Sequence, residues 1–193
     1  MDKLKSDSLY AVRSSGVSED GKKASYAGMF DSFLNVKKEE IPFYIQRCVK
    51  SRLNQRVRAY RSRFGLHDDA RMAVIIQEMV TAEYSGICFT VDPRTNDTSK
   101  LLIELGLGLG EDIVSGRVTP MTVAIHKGSG TQDVLSPGEF SNPQLEKLRL
   151  ILIEVGQSAI AIEANYGRPM DVEWVYSKEE QIVILQARPV TSI

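Results

Sequence analysis

The sequence predicts an α+β fold, mostly antiparallel sheet with two long helices. Three observations carry this. Short apolar runs with strand periodicity recur about eight times along the chain. Two longer segments, 37–65 and 142–167, repeat apolar residues at helical spacing. The strands follow one another at hairpin-like distances, without regular βαβ alternation. With 193 residues, 42% of them hydrophobic, the chain can build a core of ordinary size. No internal repeat, low-complexity tract or boundary is evident, so one domain over 1–193 is expected.

The run "LYAV" at 9–12 delivers Arg13 to the edge of "SSGVSEDGKKASYAG", a polar, Gly-containing stretch with loop character, and "FLNV" at 33–36 resumes strand character. In 37–65, Ile41, Tyr44, Cys48, Leu53, Val57, Tyr60 and Phe64 define a helix, with Pro42 in its first turn and Gly65 placed to stop it. "MAVIIQEMV" at 72–80 and "YSGICFTVD" at 84–92 are β-rich and closely spaced, so they are expected to form a hairpin. "KLLIEL" and "TPMTVAIHKG" supply two further strands. The stretch 129–142 is predicted to be a loop. In the second helix Asn142 is the expected N-cap, Pro143 the first helical residue and Gly167 the stop, with Leu145, Leu148, Leu152, Val155, Ala159 and Ile162 as the apolar stripe.

Twenty-four basic and 25 acidic residues leave a net charge of −1, so no global field points to nucleic acid or membrane. Nothing approaches the roughly 18 to 20 apolar residues of a spanning helix. Cys48 and Cys88 lie in apolar contexts without metal-ligand spacing, which suits buried thiols in a reducing cytoplasm. The basic segment from Arg47 to Arg63 also carries an apolar stripe over which long Arg stems can lie, so it is expected to be a solvated helix face and not a nucleic-acid surface. His67 and His126 have no adjacent nucleophile.

"MDVEWVY" places Met170, Val172, Trp174 and Tyr176 on one side and Asp171, Glu173 and Val175 on the other. In "QIVILQARP", Val183, Leu185 and Ala187 fall on one face and Ile182, Ile184, Gln186 and Arg188 on the other, with Pro189 at the end. If "SKEE" is a hairpin loop pairing Tyr176 with Gln181, then Asp171, Glu173, Gln186 and Arg188 converge. Cross-strand charge pairs on a wet sheet face are one explanation. The other is a metal-phosphate cradle: Mg²⁺ takes oxygen ligands from one or two carboxylates plus phosphate oxygens, and a guanidinium binds phosphoryl oxygens.

"LGLGLGED" at 105–112 has glycines that allow close backbone approach, but it is neither a Walker A loop nor a Rossmann fingerprint. Glu111 and Asp112 fit either as first-turn helix residues or as acceptors for a ribose hydroxyl or a metal. The segment from Arg13 to Ser32, with Gly28, suits a loop that closes over an anion, and equally a surface turn.

Six motifs in order, "AVRSSGVSEDGKKASYAGMFDSFLNV", "VIIQEMV", "SGICFTVDP", "GLGEDIVSGRVTP", "YGRPMDVEW" and "ILQARPV", resemble the nucleotide-binding domain of the phosphoenolpyruvate synthase and pyruvate, phosphate dikinase family over 9–191. Rifamycin phosphotransferases share that domain. The resemblance implies an ATP-grasp fold, in which ATP lies between two α+β subdomains, and this chain resembles the second. It implies ATP and Mg²⁺ as cofactors. It assigns Arg13 to the phosphates, Gly28 and Ser32 to a closing loop, and Gln77, Glu78 and Met79 to the nucleotide strand. Glu111 and Asp112 fall near ribose and metal. Glu173 and Gln186 become Mg²⁺ ligands supported by Asp171, and Arg188 the γ-phosphate or transition-state arginine. Ser32 stands where the family more often has Thr, which keeps the hydroxyl.

Family members place about a hundred residues before the "AVRSS" strand, whereas eight precede Leu9 here. The expectation is therefore the C-terminal part of such a domain, without the lid subdomain, the swivelling domain with its phosphorylated histidine, or the pyruvate-binding domain. A phosphotransferase delivering phosphate through that histidine to pyruvate is the function implied. Antibiotic phosphorylation and a non-catalytic nucleotide-binding module are the alternatives.

Overall fold

The computed structural model of the chain describes residues 4–16, 20–21, 24–25, 30–64, 72–110 and 119–190. The chain divides into two compact units, Met1–Met79 and Val80–Ile193. The division falls between Met79 and Val80, in the short stretch 77–83 that carries no Gly or Pro to mark a boundary. Each unit has its own hydrophobic cluster.

In the first unit β1 (Leu9–Gly16) is the centre of a three-stranded antiparallel sheet, between β4 (Ser32–Lys37) and β5 (Met72–Glu78). Two-residue strands β2 (Asp20–Gly21) and β3 (Ala24–Ser25) pair with each other. Alternation along β1 turns Tyr10 and Val12 into a core shared with Val36, Ile41 and Cys48, against which Phe33, Tyr44, Val74 and Ile76 pack. Ile41 and Cys48 come from α1 (Ile41–Ser51), which has Pro42 in its first turn as expected.

The single helix predicted over 37–65 is broken into α1 and α2 (Gln55–Phe64). Leu53 N–H bonds Lys50 O and Asn54 N–H bonds Ser51 O, a tight i→i−3 ending. The next helix then starts with Arg58 N–H donating to the Asn54 carbonyl, in keeping with the preference of Asn for helix starts. Leu53, assigned to the buried stripe, is 51% exposed.

The second unit is a six-stranded antiparallel sheet in the order β11-β10-β6-β7-β8-β9, formed by β6 (Ala82–Phe89), β7 (Lys100–Leu107), β8 (Met121–His126), β9 (Gln132–Ser136), β10 (Met170–Ser177) and β11 (Ile182–Pro189). The helix α3 (Asn142–Tyr166) buries Leu148, Ile151, Leu152, Val155 and Ala159 with Met170, Val172 and Trp174 of β10 and Leu101, Ile103 and Leu105 of β7. At about 25 cal/mol per Å², each buried Leu, Ile, Val or Met among these contributes about 1.5–3 kcal/mol before entropy is subtracted. Gly86 is required where β6 passes β7: a Cβ there would stand 2.3 Å from the Glu104 carbonyl oxygen.

Three expectations are corrected here. β5 and β6 do not form a hairpin; β5 pairs with β1, and β6 with β7 and β10. The short connection between them crosses from one unit to the other. The predicted loop 129–142 contains β9, an edge strand whose Val134 and Leu135 are both exposed, so it lacks the alternation that marks a half-buried strand. The N-cap of α3 is Ser141, not Asn142: Ser141 and Gln144 form a capping box, with Ser141 N–H donating to Gln144 Oε1 at 2.9 Å. Gly167 ends the helix as expected, at φ +66°.

Polar contacts tie the end of α3 to the sheet. Glu163 accepts hydrogen bonds from Lys127 Nζ (2.6 Å) and Thr90 Oγ1 (3.0 Å), and Thr90 Oγ1 accepts the Met170 N–H (2.8 Å) at the start of β10. Thr90 N–H in turn donates to Met170 O. Burial pushes the Cys88 thiol far above its ordinary value, with the Asp171 carboxylate adding to the effect, so it is a packed, unreactive side chain. Cys48, raised to about 11 mainly by burial, is equally inert.

Candidate functional site

The four residues singled out on the last two strands share one sheet face. Asp171 lies opposite Arg188, and Glu173 opposite Gln186. Met170, Val172 and Trp174 turn the other way, into the core. Arg188 Nε donates to Asp171 Oδ2 at 2.8 Å, and Asp171 is 8% exposed. That contact fixes the plane of a guanidinium whose fork of donors matches phosphoryl oxygens.

The convergence is achieved differently from the expected hairpin. Tyr176 pairs with Ile182, not Gln181. Ser177 N–H bonds Gln181 O, leaving Lys178, Glu179 and Glu180 as a three-residue loop with Glu180 in the left-handed region at φ +58°. Continued regularly, this register would place Gln186 and Arg188 on the core side, away from Asp171 and Glu173. A bulge restores them. The register shifts by one between Glu173↔Gln186 and Trp174↔Ile184, so Leu185 is the extra residue on β11. Ile184 and Ala187 therefore both pack against the core although they are three positions apart, and the regular alternation assigned to 182–188 is corrected accordingly.

Asp171, Glu173 and Gln186 offer oxygen donors on this face, the donor type that Mg²⁺ takes. Among the described residues no group of three or more His, Cys, Asp or Glu could hold a metal. The available set, two carboxylates with an amide oxygen, fits an ion that keeps one or two protein carboxylates and takes further oxygens from a triphosphate. The row through Gln186 and Glu173 continues across Ile87 to Glu104 and Thr122. Glu104 is a half-buried carboxylate that sequence reading passed over. Its signal was a lone acid inside the apolar run "KLLIEL".

In the first unit Arg13 lies opposite Ser32, and Arg13 Nη1 donates to Gln77 Oε1 at 3.5 Å. These three share the face opposite the core. Glu78, next to Gln77 on the strand, projects from the other face and accepts from Ser8 Oγ (2.7 Å) and Lys5 Nζ (3.0 Å). Those contacts, the Ser8 hydroxyl first, hold its carboxyl below the usual range. Met79 N–H bonds Leu9 O. In the glycine-rich segment, Gly108 N–H donates to Glu83 O at 2.9 Å, so that amide serves the sheet and not an anion. Gly28, Gly65, His67, Glu111 and Asp112 lie outside the described residues.

Comparison with known proteins bears on this geometry. The chain matches the family model "Pyruvate phosphate dikinase, AMP/ATP-binding domain" over residues 1–147 and 130–193. It is 35% identical over 206 residues to a probable phosphoenolpyruvate synthase of Methanocaldococcus jannaschii, covering 95% of this chain and 17% of that protein. A probable phosphoenolpyruvate synthase of Methanothermobacter thermautotrophicus is 36% identical over 98% of this chain and 30% of its own length. A rifampicin phosphotransferase of Streptomyces is 37% identical over 96% of this chain and 24% of its own length. The matching model is that of an AMP/ATP-binding domain, which makes this chain a nucleotide-binding domain. The chain belongs to the pyruvate phosphate dikinase AMP/ATP-binding domain family. It spans between 17% and 30% of the length of these relatives. Among the described residues no helix is long and apolar enough to cross a membrane.

Proposed function

We propose that this chain is the ATP-binding part of a dikinase-type phosphotransferase and that its second unit handles the metal-bound phosphates. The pairing of Asp171 with Arg188 and of Glu173 with Gln186 carries this reading. Glu173 and Gln186 hold Mg²⁺, with Asp171 supporting them. The ion neutralises phosphate charge when bound. Arg188, oriented through Nε by Asp171, stabilises the charge that develops on the transferring phosphoryl group. In the first unit Arg13 and Ser32 contact phosphate, as does Gly28, and Gln77 and Met79 contact the nucleotide, Glu78 doing so through its backbone because Ser8 and Lys5 hold its carboxylate on the other face. Glu111 and Asp112 contact ribose or metal. Side chains here supply position and charge, not a covalent intermediate.

The phosphoryl group passes to a histidine elsewhere in the longer protein and on to an acceptor. Pyruvate is the acceptor we favour, because relatives that cover this chain almost completely are named phosphoenolpyruvate synthases. The equally similar rifampicin phosphotransferase supports an antibiotic acceptor as the second reading. By itself the chain binds Mg-ATP weakly. Calorimetry of the full-length protein with Mg-ATP, with and without Glu173→Ala, tests the assignment. Binding that depends on Mg²⁺ and is lost in the variant is expected, and Mg-ATP binding that Glu173→Ala leaves intact would remove Glu173 as a ligand.

A further inference from the structure

In β4, Asn35 has φ +57°, a conformation that side-chain-bearing residues other than Asn and Asp rarely adopt. The reason lies in the register. Leu9↔Lys37 and Tyr10↔Val36 pair on one side of it, Val12↔Phe33 and Arg13↔Ser32 on the other, with a shift between them. Ala11 thus faces two residues of β4, Leu34 and Asn35, which is a bulge with its left-handed member at Asn35. Phe33 and Val36, three apart, both reach the core because of it. By the same shift, Ser32 moves onto the face of Arg13. In an unbulged strand Phe33 would oppose Arg13, and Ser32 would sit one position further along.

We propose that Asn35 is a positioning residue: its left-handed backbone sets the register that holds Ser32 opposite Arg13. The inference rests on the reading of Arg13 and Ser32 as phosphate contacts. Asn35 is exposed, so substituting it changes backbone preference without opening a cavity. Glycine accepts φ > 0 at no steric cost, alanine poorly, and a β-branched residue worst.

Asn35→Gly, Asn35→Ala and Asn35→Val in the full-length protein, titrated with Mg-ATP and with adenosine, test this. Asn35→Gly is expected to match the parent for both ligands. Asn35→Val should weaken Mg-ATP by about tenfold or more, the scale of one charge-assisted hydrogen bond, and leave adenosine within about twofold. Asn35→Ala should fall between, and it carries the test if the valine variant does not fold. Equal losses for both ligands, or no loss for either in Asn35→Ala and Asn35→Val, would overturn the proposal.

Register is read separately, by whether the double variant Arg13→Cys/Ser32→Cys cross-links under mild oxidation when Asn35 is kept and fails to do so when Asn35→Val is added. Cross-linking that persists in the Asn35→Val background would overturn the positioning role. Unchanged Mg-ATP binding in Arg13→Ala would strike the phosphate-contact reading instead, leaving the register to be decided by the cross-link.

Discussion

Arg188 Nε and Asp171 Oδ2 stand 2.8 Å apart on directly opposed positions of neighbouring strands. In full-length protein, Arg188→Ala should lower ATP-dependent phosphoryl transfer by about three orders of magnitude, the scale of a transition-state arginine. Asp171→Asn keeps the shape but weakens the charge-assisted bond, and should cost about tenfold. Single-turnover transfer rates measure both. Near-normal rates in Arg188→Ala would remove it from the reaction.

Deleting Leu185 should remove the bulge and keep the site. Without the extra residue Gln186 follows Ile184 directly, so the register set at the Ser177–Gln181 turn runs on with Gln186 opposite Glu173 and Arg188 opposite Asp171. Mg-ATP binding should be retained, and the far-ultraviolet circular dichroism should keep its β signal. A folded deletion variant that no longer binds Mg-ATP would show that the bulge itself, and not only the facing of these residues, is needed.

Glu180 occupies a left-handed turn position that glycine prefers. Glu180→Gly relieves about 1 kcal/mol of backbone strain, partly offset by the entropy of the unfolded glycine. The unfolding midpoint should rise by about 2 °C, with no change in nucleotide binding.

Asp92 is buried and bound by Arg94, through Nε (2.9 Å), Nη2 (2.7 Å) and the backbone N–H (3.0 Å). The Arg94 side chain, foremost, lowers the Asp92 carboxyl below its ordinary 3.8. A carboxyl lowered on folding contributes stability that is complete above its unfolded value and is lost as pH falls through the lowered folded value. Arg94→Met should therefore destabilise the protein at neutral pH. The gap to the parent should close as pH drops below about 3.8, which urea titrations at stepped pH would follow.

Much of this was legible in the residues. The alternation of Met170 to Tyr176, the stripe of α3 and the Gly167 stop reflect local periodicity and turn chemistry, which a sequence carries on its face. What escaped was non-local. The extra residues at Leu185 and Leu34–Asn35 appear only as apolar pairs three apart, Ile184 with Ala187 and Phe33 with Val36, a spacing that mimics helix and is invisible to a period-two reading. A Tyr176–Gln181 pairing would set the four residues of the terminal hairpin on one face; with Ile182 opposite Tyr176 instead, Leu185 supplies that parity. The partners of β5 and β6 also depend on pairing across long sequence separations, where proximity in the chain misleads.

The tie among Lys127, Glu163 and Thr90 bears on motion. A carboxylate in the final turn of α3 meets the negative pole of the helix, an unfavourable placement that the Lys127 ammonium neutralises at 2.6 Å. With the Gly167 N–H bonded to Glu163 O as well, this end is secured by side chain and backbone together. The segment entering β10 inherits that quiet. Met170, clamped by Thr90 through both amide and carbonyl, should be among the slowest amides to exchange with solvent, and Asp171 is its neighbour on the strand.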